Sequence, residues 1–394
     1  MFGFSDPSYR RTFDSLLPRL SERAREVARE RQRLPELIAR LHARPYGEQQ
    51  VLLRSDREFR SWLFCEWLIE ESQQLLYVDP GRAGELADSA VALARDLEPG
   101  LYGNALVNDL KARSWSCRGE AFRVLSDLRR AEEAFATAGR FIAQGTGDAL
   151  EEARVLELKA ALRRDQHRPT EAFRLLDDVI AVYRQYRDFH LVGRAFVQKG
   201  RVHGSVNKLQ PAIRWLRKGL GLIDPARERR FGLAARHSLM LYLHETGRHR
   251  EARFLLKASR PEFLGHGGKL LNLGLRWLEG KILHALGLLT EAETALAEAR
   301  QGFIDLGIGF SAAAVSLDLA GLYAGQGRSA EMRRLSEEMF PIFHSRDLHQ
   351  EAIAALITFQ RAAAMERVST ELLSEIRSYL ERARKDPELR FEPA

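Results

Sequence analysis

Two histidines and a glutamate in the segment "HETGRH" come nearest to a catalytic metal site in this 394-residue chain. Zinc peptidases use two histidines four residues apart on one helical turn, with a glutamate beside the first as general base. Here His244 and His249 are five residues apart, and Gly247 between them interrupts the helix. The segment therefore predicts a turn between helices rather than a zinc site.

Two glycine-rich stretches come close to nucleotide-binding loops. "GHGGKL" at 265–270 lacks the first glycine of a phosphate loop, and Leu270 stands where Ser or Thr is needed. "GIGFSA" at 307–312 fits part of the dinucleotide pattern, but no β-strand is expected on either side, so we interpret it as a loop. No Ser/His/Asp or Cys/His set is definable. We predict no catalytic residue, no metal ligand and no cofactor, and an enzyme is the least favoured function.

Composition favours a helical, soluble protein. Hydrophobic residues make up 45% and charged residues 29% of the chain, and the helix-favouring residues Ala, Leu, Arg and Glu are abundant. The first residues lack the basic end and apolar run of a signal peptide, and no segment reaches about 18 apolar residues without a charge. We therefore expect a cytoplasmic protein without a membrane partner. Cys65 and Cys117 are expected to be buried small side chains.

A period of 40 or 41 residues runs through the middle of the chain. A small or apolar residue in one expected helix is followed twelve residues later by another in the next helix. The six pairs are Gly119 and Ala131, Ala160 and Ala172, Gly200 and Ala212, Met240 and Ala252, Gly280 and Ala292, and Ala320 and Met332. Because small side chains let two backbones approach closely, each pair predicts a helical hairpin.

The alanine-rich segment "LTEAETALAEA", residues 289–299, shows why small residues recur. Ala292, Leu296 and Ala299 lie at offsets of four and seven residues, which places them on one helical face. A single hairpin cannot bury such a face. We therefore expect the hairpins to stack into one solenoid.

These features resemble the tetratricopeptide repeat (TPR) family, best in "WSCRGEAFRVLSDLRRAEEAFATAG" (115–139) and "LEGKILHALGLLTEAETALAEA" (278–299). The resemblance implies an all-α fold, a right-handed α-solenoid of stacked helical hairpins. The period of about 40 residues exceeds the usual 34 and is similar to the longer repeats of bacterial regulators. Met240, Met332 and Ser336 depart from the expected residue types. Armadillo and HEAT arrays, with repeats of about 40–47 residues, are the structural alternative.

We predict four regions along the chain. Residues 105–345 form six TPR-like hairpins, and a degenerate hairpin at 57–104 precedes them. Residues 346–394 form a C-terminal capping hairpin and tail. Residues 1–56 form an Arg-rich helical segment that acts as a cap or a docking element.

The N-terminal segment is expected to contain breaks at Pro18 and Pro35 and a turn at Pro45. Its glutamates alternate with arginines at a spacing of three residues, which allows pairing along a helix and partly neutralises the face. The three pairs are Glu22 and Arg25, Glu26 and Arg29, and Glu30 and Arg33. The segment carries no helix-turn-helix of convincing length and no zinc finger.

The resemblance also implies a binding face. In tetratricopeptide proteins the first helices line a concave face, and four positions around the small first-helix residue project toward it. Applied to this sequence, that rule selects seven basic side chains against two glutamates, followed by a small, apolar set at Ala314, Leu317, Gly321 and Ala324. The candidate binding residues are Arg113, Arg123, Arg154, Arg164, Arg194, Arg201, His237, His244, Trp277, Lys281 and His284.

This selection predicts a non-catalytic scaffold, adaptor or regulator that binds an acidic peptide or protein segment in a basic concave groove. Arginines would pair with carboxylates, and Trp277 would stack as an anchor. His237 and His244 are seven residues apart and can also be interpreted as a metal or pH site, although solvated histidines are favoured. The alternative function is a nucleic-acid-associated regulator that uses the Arg-rich N-terminal segment, with the solenoid as sensor or oligomerisation module. The sequence leaves the oligomeric state open.

Overall fold

The computed structural model describes residues 7–76, 78–339, 342, 350–364, 368–383 and 389–391. These residues hold nineteen α-helices, one short 3₁₀ helix at Arg57–Phe59 and no β-strand. The expected all-α architecture of helical hairpins is therefore confirmed. The chain divides into two compact units, Met1–Gln166 and His167–Ala394.

The first unit begins with a long helix and continues with hairpins. Its helices are α1 (Pro7–His42), α2 (Tyr46–Ser55), α3 (Trp62–Leu75), α4 (Pro80–Asp96), α5 (Pro99–Tyr102), α6 (Asn104–Val124), α7 (Leu128–Ile142) and α8 (Ala149–Asp165). The pairs α3/α4 and α6/α7 are hairpins. Their first helices form one layer, because α3 packs against α6 and α6 packs against α8.

The second unit repeats this arrangement. Its helices are α9 (Pro169–Gln185), α10 (Phe189–Ser205), α11 (Leu209–Leu220), α12 (Arg229–Glu245), α13 (His249–His266), α14 (Gly268–Ala285), α15 (Leu289–Asp305), α16 (Gly309–Gly325), α17 (Ser329–Glu337), α18 (Gln350–Ala364) and α19 (Thr370–Ala383). The first helices α10, α12, α14 and α16 contact one another in succession, and each second helix lies against the next first helix. The final helix α19 packs against both α18 and α16.

One turn geometry separates the helices of most hairpins. After α12, the Gly247 N–H donates to the His244 carbonyl at 3.0 Å, and the Arg248 N–H donates to the Leu243 carbonyl at 2.8 Å. With Gly247 at a φ of 76°, this is a Schellman motif, in which a left-handed residue ends the helix. The segment "HETGRH" is therefore a turn, as predicted. Glycine takes the same position at Gly287, Gly307 and Gly327.

Small residues lie where the helices of a hairpin cross, as the repeat predicts. A Cβ atom on Gly280 would be 2.6 Å from Leu296 Cγ, and one on Gly119 would be 3.0 Å from the Phe135 ring. The first distance is too short for a real contact and the second is unusually tight, so a side chain at either position requires its neighbour to move. Ala292 and Ala299, on the facing side of α15, are fully buried. The expected role of the small residues in close helix packing is confirmed.

The expected breaks at Pro18 and Pro35 are wrong, because α1 runs without interruption from Pro7 to His42. A proline inside a helix removes one hydrogen bond and costs about 3 kcal/mol. Pro35 is exposed, whereas Leu37 and Leu41 on the other face are buried in the core of the first unit. Burial of this apolar face offsets the lost bond. The helix ends before Pro45, where the sequence predicts a turn.

Candidate functional site

The candidate arginines of α6 and α8 form ion pairs within the first unit. Arg113 lies 2.9 Å from Glu66 and 3.4 Å from Glu151, and its guanidinium is 6.0 Å from the centre of the Trp62 ring. Arg154 pairs with the same Glu151 at 2.8 Å, but half of its side chain is exposed. Arg154 is therefore the more accessible cation of the two.

Arg123 is buried in a cluster of charges. It makes two hydrogen bonds to Glu120, at 2.7 and 2.6 Å, and a third to Asp165 at 2.5 Å. Arg164 also donates to Asp165, at 2.8 Å. Burial of Asp165 would raise the pKa of its carboxyl group, but Arg164 and Arg123 outweigh that effect and lower the pKa to about 2. The structure thus places Arg123 in the interior, where its charge is balanced by carboxylates.

In the second unit, Arg194 and Arg201 of α10 lie over one aromatic ring. Their guanidinium carbons are 5.5 and 5.3 Å from the centre of the Phe231 ring, within the range of a cation–π interaction. Arg194 also pairs with Glu228 at 2.7 Å. Sequence reasoning missed Phe231 and Glu228 because both lie at the start of α12, outside the selected positions.

His237 of α12 is partly buried. Burial is the main reason that its pKa lies below the ordinary value, and the positive charges of Arg201 and Lys281 lower it further. The backbone of Gly274 opposes this shift. We therefore expect His237 to be neutral at pH 7.

His244, Lys281 and His284 lie together in a cavity of about 500 Å³. We name it the α19 cavity because its outer wall is formed by Thr370, Ser374 and other residues of α19. His244 Nδ1 is 3.2 Å from Nδ1 of His249, so one ring nitrogen donates to the other. Burial, followed by the charges of Lys281, His249 and His284, lowers the pKa of His244 to about 4.

Trp277 of α14 is fixed by a buried carboxylate. Its Nε1–H donates to Asp318 Oδ2 at 2.6 Å, and its ring meets Phe303 edge to face, with centroids 6.1 Å apart. The other oxygen of Asp318 pairs with Arg377 of α19. Sequence reasoning missed Asp318 and Arg377. Asp318 could have been found, because it is the one charged residue in the otherwise uncharged helix α16.

Helix α16, which carries the small, apolar set, packs against the last helix. Leu317 is fully buried, and Gly321 lines the α19 cavity together with Leu373 of α19. The C-terminal helix therefore covers part of the face that the repeat register assigns to binding. This placement explains why that part of the face is apolar.

The described residues bear on three further expectations. Cys65 and Cys117 are free and buried, as predicted, and burial raises the pKa of each thiol to about 12. No group of three or more His, Cys, Asp or Glu among the described residues is arranged to hold a metal ion. Within the same part of the chain, no helix is both long enough and apolar enough to span a membrane.

Comparison with known proteins establishes the fold. The crystal structure of a Rap protein complexed with competence and sporulation factor aligns with a TM-score of 0.57 and 14% identity, over 81% of this chain and 86% of that chain. The nearly identical TPR-like repeats assigned to a Podosopora anserina kinesin light chain align over 50% of this chain and 93% of theirs, with 18% identity. At a TM-score of 0.34, the second likeness carries no structural argument. No family model and no curated protein matches the chain.

Proposed function

We propose that this chain is a non-enzymatic, cytoplasmic scaffold or regulator that binds a peptide or protein segment along the faces of its first helices. The observation that carries the proposal is the α19 cavity. There, His244, Lys281 and His284 from two successive first helices meet in a space of about 500 Å³. A concave site with a few convergent polar groups is the usual form of a binding site.

The fold comparison supports this function, since a protein of similar fold was solved in complex with competence and sporulation factor. We further propose that the bound segment is acidic. Arg154 is half exposed, and Arg194 and Arg201 lie on the first helix α10. Carboxylates of a ligand would compete for these guanidinium groups with the protein's own glutamates.

Phage display of random dodecapeptides against the immobilised chain tests the proposal. We expect acidic sequences to be enriched, and we expect the triple variant Arg154→Glu/Arg194→Glu/Arg201→Glu to bind them at least about tenfold more weakly in fluorescence anisotropy. A matched control, Arg129→Glu/Lys218→Glu/Lys257→Glu, changes the net charge equally on the second helices α7, α11 and α13. Enrichment of non-acidic peptides, or equal weakening by both triple variants, would contradict the acidic specificity.

A further inference from the structure

The lining of the α19 cavity carries more positive than negative charge. Among the described residues that line it, Lys281 and Arg377 are the cations and Asp318 is the one carboxylate. Both oxygens of Asp318 are occupied, one by Arg377 and the other by the Trp277 Nε1–H. Apart from the histidines, the described lining therefore has one positive charge in excess.

Lys281 supplies this excess charge. It makes no hydrogen bond and no ion pair with any residue that the structure describes, and its Nζ lies 6.0 Å from the centre of the Trp277 ring. Glu245 interacts with Lys281 electrostatically, but it does not line the cavity and lies beyond ion-pair distance. An ammonium group in a concave site attracts an anion, because the surrounding protein weakens solvent screening.

The same walls offer further hydrogen-bond donors. Ser374 and His284 line the cavity and carry a hydroxyl group and an imidazole ring, whereas the Thr370 hydroxyl donates to Glu371 at 3.1 Å. A carboxylate has two acceptor oxygens, so it can pair with the cation and accept hydrogen bonds from the neighbouring donors at the same time.

The size of the cavity limits its occupant. A volume of about 500 Å³ lies within the range of small-molecule sites, roughly 300–1,000 Å³. An α-helix, about 10 Å in diameter, would not fit beside α19, whereas one amino-acid residue would.

We propose that the α19 cavity is a carboxylate-binding site in which Lys281 is the charged donor. Resting on the proposed function, the site takes one carboxylate of the bound segment, either its C-terminal carboxylate or an Asp or Glu side chain. The wall formed by α19 makes the C-terminal helix part of the binding site.

Four forms of one tetrapeptide, acetyl-Ala-Ala-Ala-Glu, test this site on the full chain. The side chain is either Glu or Gln, and the C-terminus is either free or amidated. We expect chemical-shift changes in ¹⁵N NMR for each form that keeps a carboxylate and none for the Gln amide. Comparison of the two single-carboxylate forms shows which source the site prefers. Binding should also raise the pKa of His244, because the bound anion stabilises the imidazolium.

Variants at Lys281 separate this site from general electrostatics. Lys281→Gln should lower the affinity for the carboxylate-bearing peptides by about tenfold or more, whereas Lys281→Arg should retain most of it. Lys257→Gln, a change at an exposed side chain of α13, should leave the affinity unchanged. Equal affinity of Lys281→Gln and the unmodified chain overturns the site, as does binding of the Gln amide or a lack of response to all four peptides. If a peptide selected from the library loses affinity in the arginine variant but not in Lys281→Gln, only the carboxylate site is overturned. If the tetrapeptides bind in a Lys281-dependent manner but the library yields no binding peptide, only the proposed function is overturned.

Discussion

Gly219 in α11 provides the most direct test of the close helix packing. A Cβ atom at this position would lie 2.6 Å from the Gly193 carbonyl oxygen, 2.7 Å from Val197 Cγ2 and 2.9 Å from the Val197 backbone nitrogen. Two of these atoms belong to the backbone of α10 and cannot rotate away. Gly219→Ala therefore forces the helices α10 and α11 apart.

The expected loss follows from two opposing effects. Overpacking of a well-packed core costs about 1–3 kcal/mol, and contact with backbone places Gly219→Ala near the upper end. The higher helix propensity of alanine returns about 1 kcal/mol. The net destabilisation is about 2 kcal/mol, which corresponds to a fall in Tm of roughly 4–8 °C for a unit of this size.

Thermal unfolding followed by far-UV circular dichroism measures this change. Gly321→Ala is the matched control, because it lies inside α16 and a Cβ there meets no atom within 4 Å. We expect that control to be more stable than the unmodified chain by about 0.4–1 kcal/mol. If Gly219→Ala is as stable as Gly321→Ala, then close backbone approach is not the reason for glycine at position 219.

Three further substitutions test the charged and polar groups of the site. The free energy of unfolding should fall as the pH drops from about 6.5 to 4, because His244 binds a proton in the unfolded chain but not in the folded one. In urea unfolding, His244→Gln should remove up to about 2 kcal/mol of that fall. Arg123→Met should cost about 3–5 kcal/mol by removing a buried charge that pairs with Glu120 and Asp165, and NMR should find the pKa of Asp165 above its value of about 2 although Arg164 remains beside it. Trp277→Phe should cost about 1–3 kcal/mol in chemical unfolding by orphaning an oxygen of Asp318, and the loss should shrink in an Asp318→Asn background.

The hairpins were predictable because their determinants are local. The pairing of a small first-helix residue with a second-helix partner depends on the repeat alone, and the structure confirms the expected close packing, with Gly280 against Leu296 one turn beyond Ala292. The turns were equally predictable from the sequence, since a glycine such as Gly247 favours the left-handed conformation that ends a helix. Local rules failed at Pro35, where the tertiary packing of Leu37 and Leu41 decides the outcome.

The site was predicted only in part, because its composition depends on contacts between distant segments. The repeat register selected His244 and Lys281, but it contains no information about α19, which lies outside the six hairpins and brings Arg377 to Asp318. The register also assigned arginines by position, without their partners. It therefore could not distinguish the buried Arg123 from the half-exposed Arg154.

Ion pairing also bears on the nucleic-acid alternative. Much of a protein's affinity for nucleic acid comes from Lys and Arg side chains that contact phosphates and so release the counterions condensed on them. In the N-terminal segment, Arg33 pairs with Glu58 at 2.9 Å, and Arg40 pairs with Asp56 at 2.6 Å and also with Glu58. Phosphate contacts would first have to break these internal pairs.

The same segment is tied to the first unit by its acidic residues. Glu30, although three positions before Arg33, accepts hydrogen bonds from the backbone N–H of Leu63 at 3.0 Å and of Trp62 at 3.3 Å, and also from the Tyr102 hydroxyl. These bonds fix α1 at the start of α3. Because Arg33 and Arg40 already pair with carboxylates, whereas Lys281 has no ion pair with any described residue, we favour a ligand in the second unit over nucleic acid at the N-terminus.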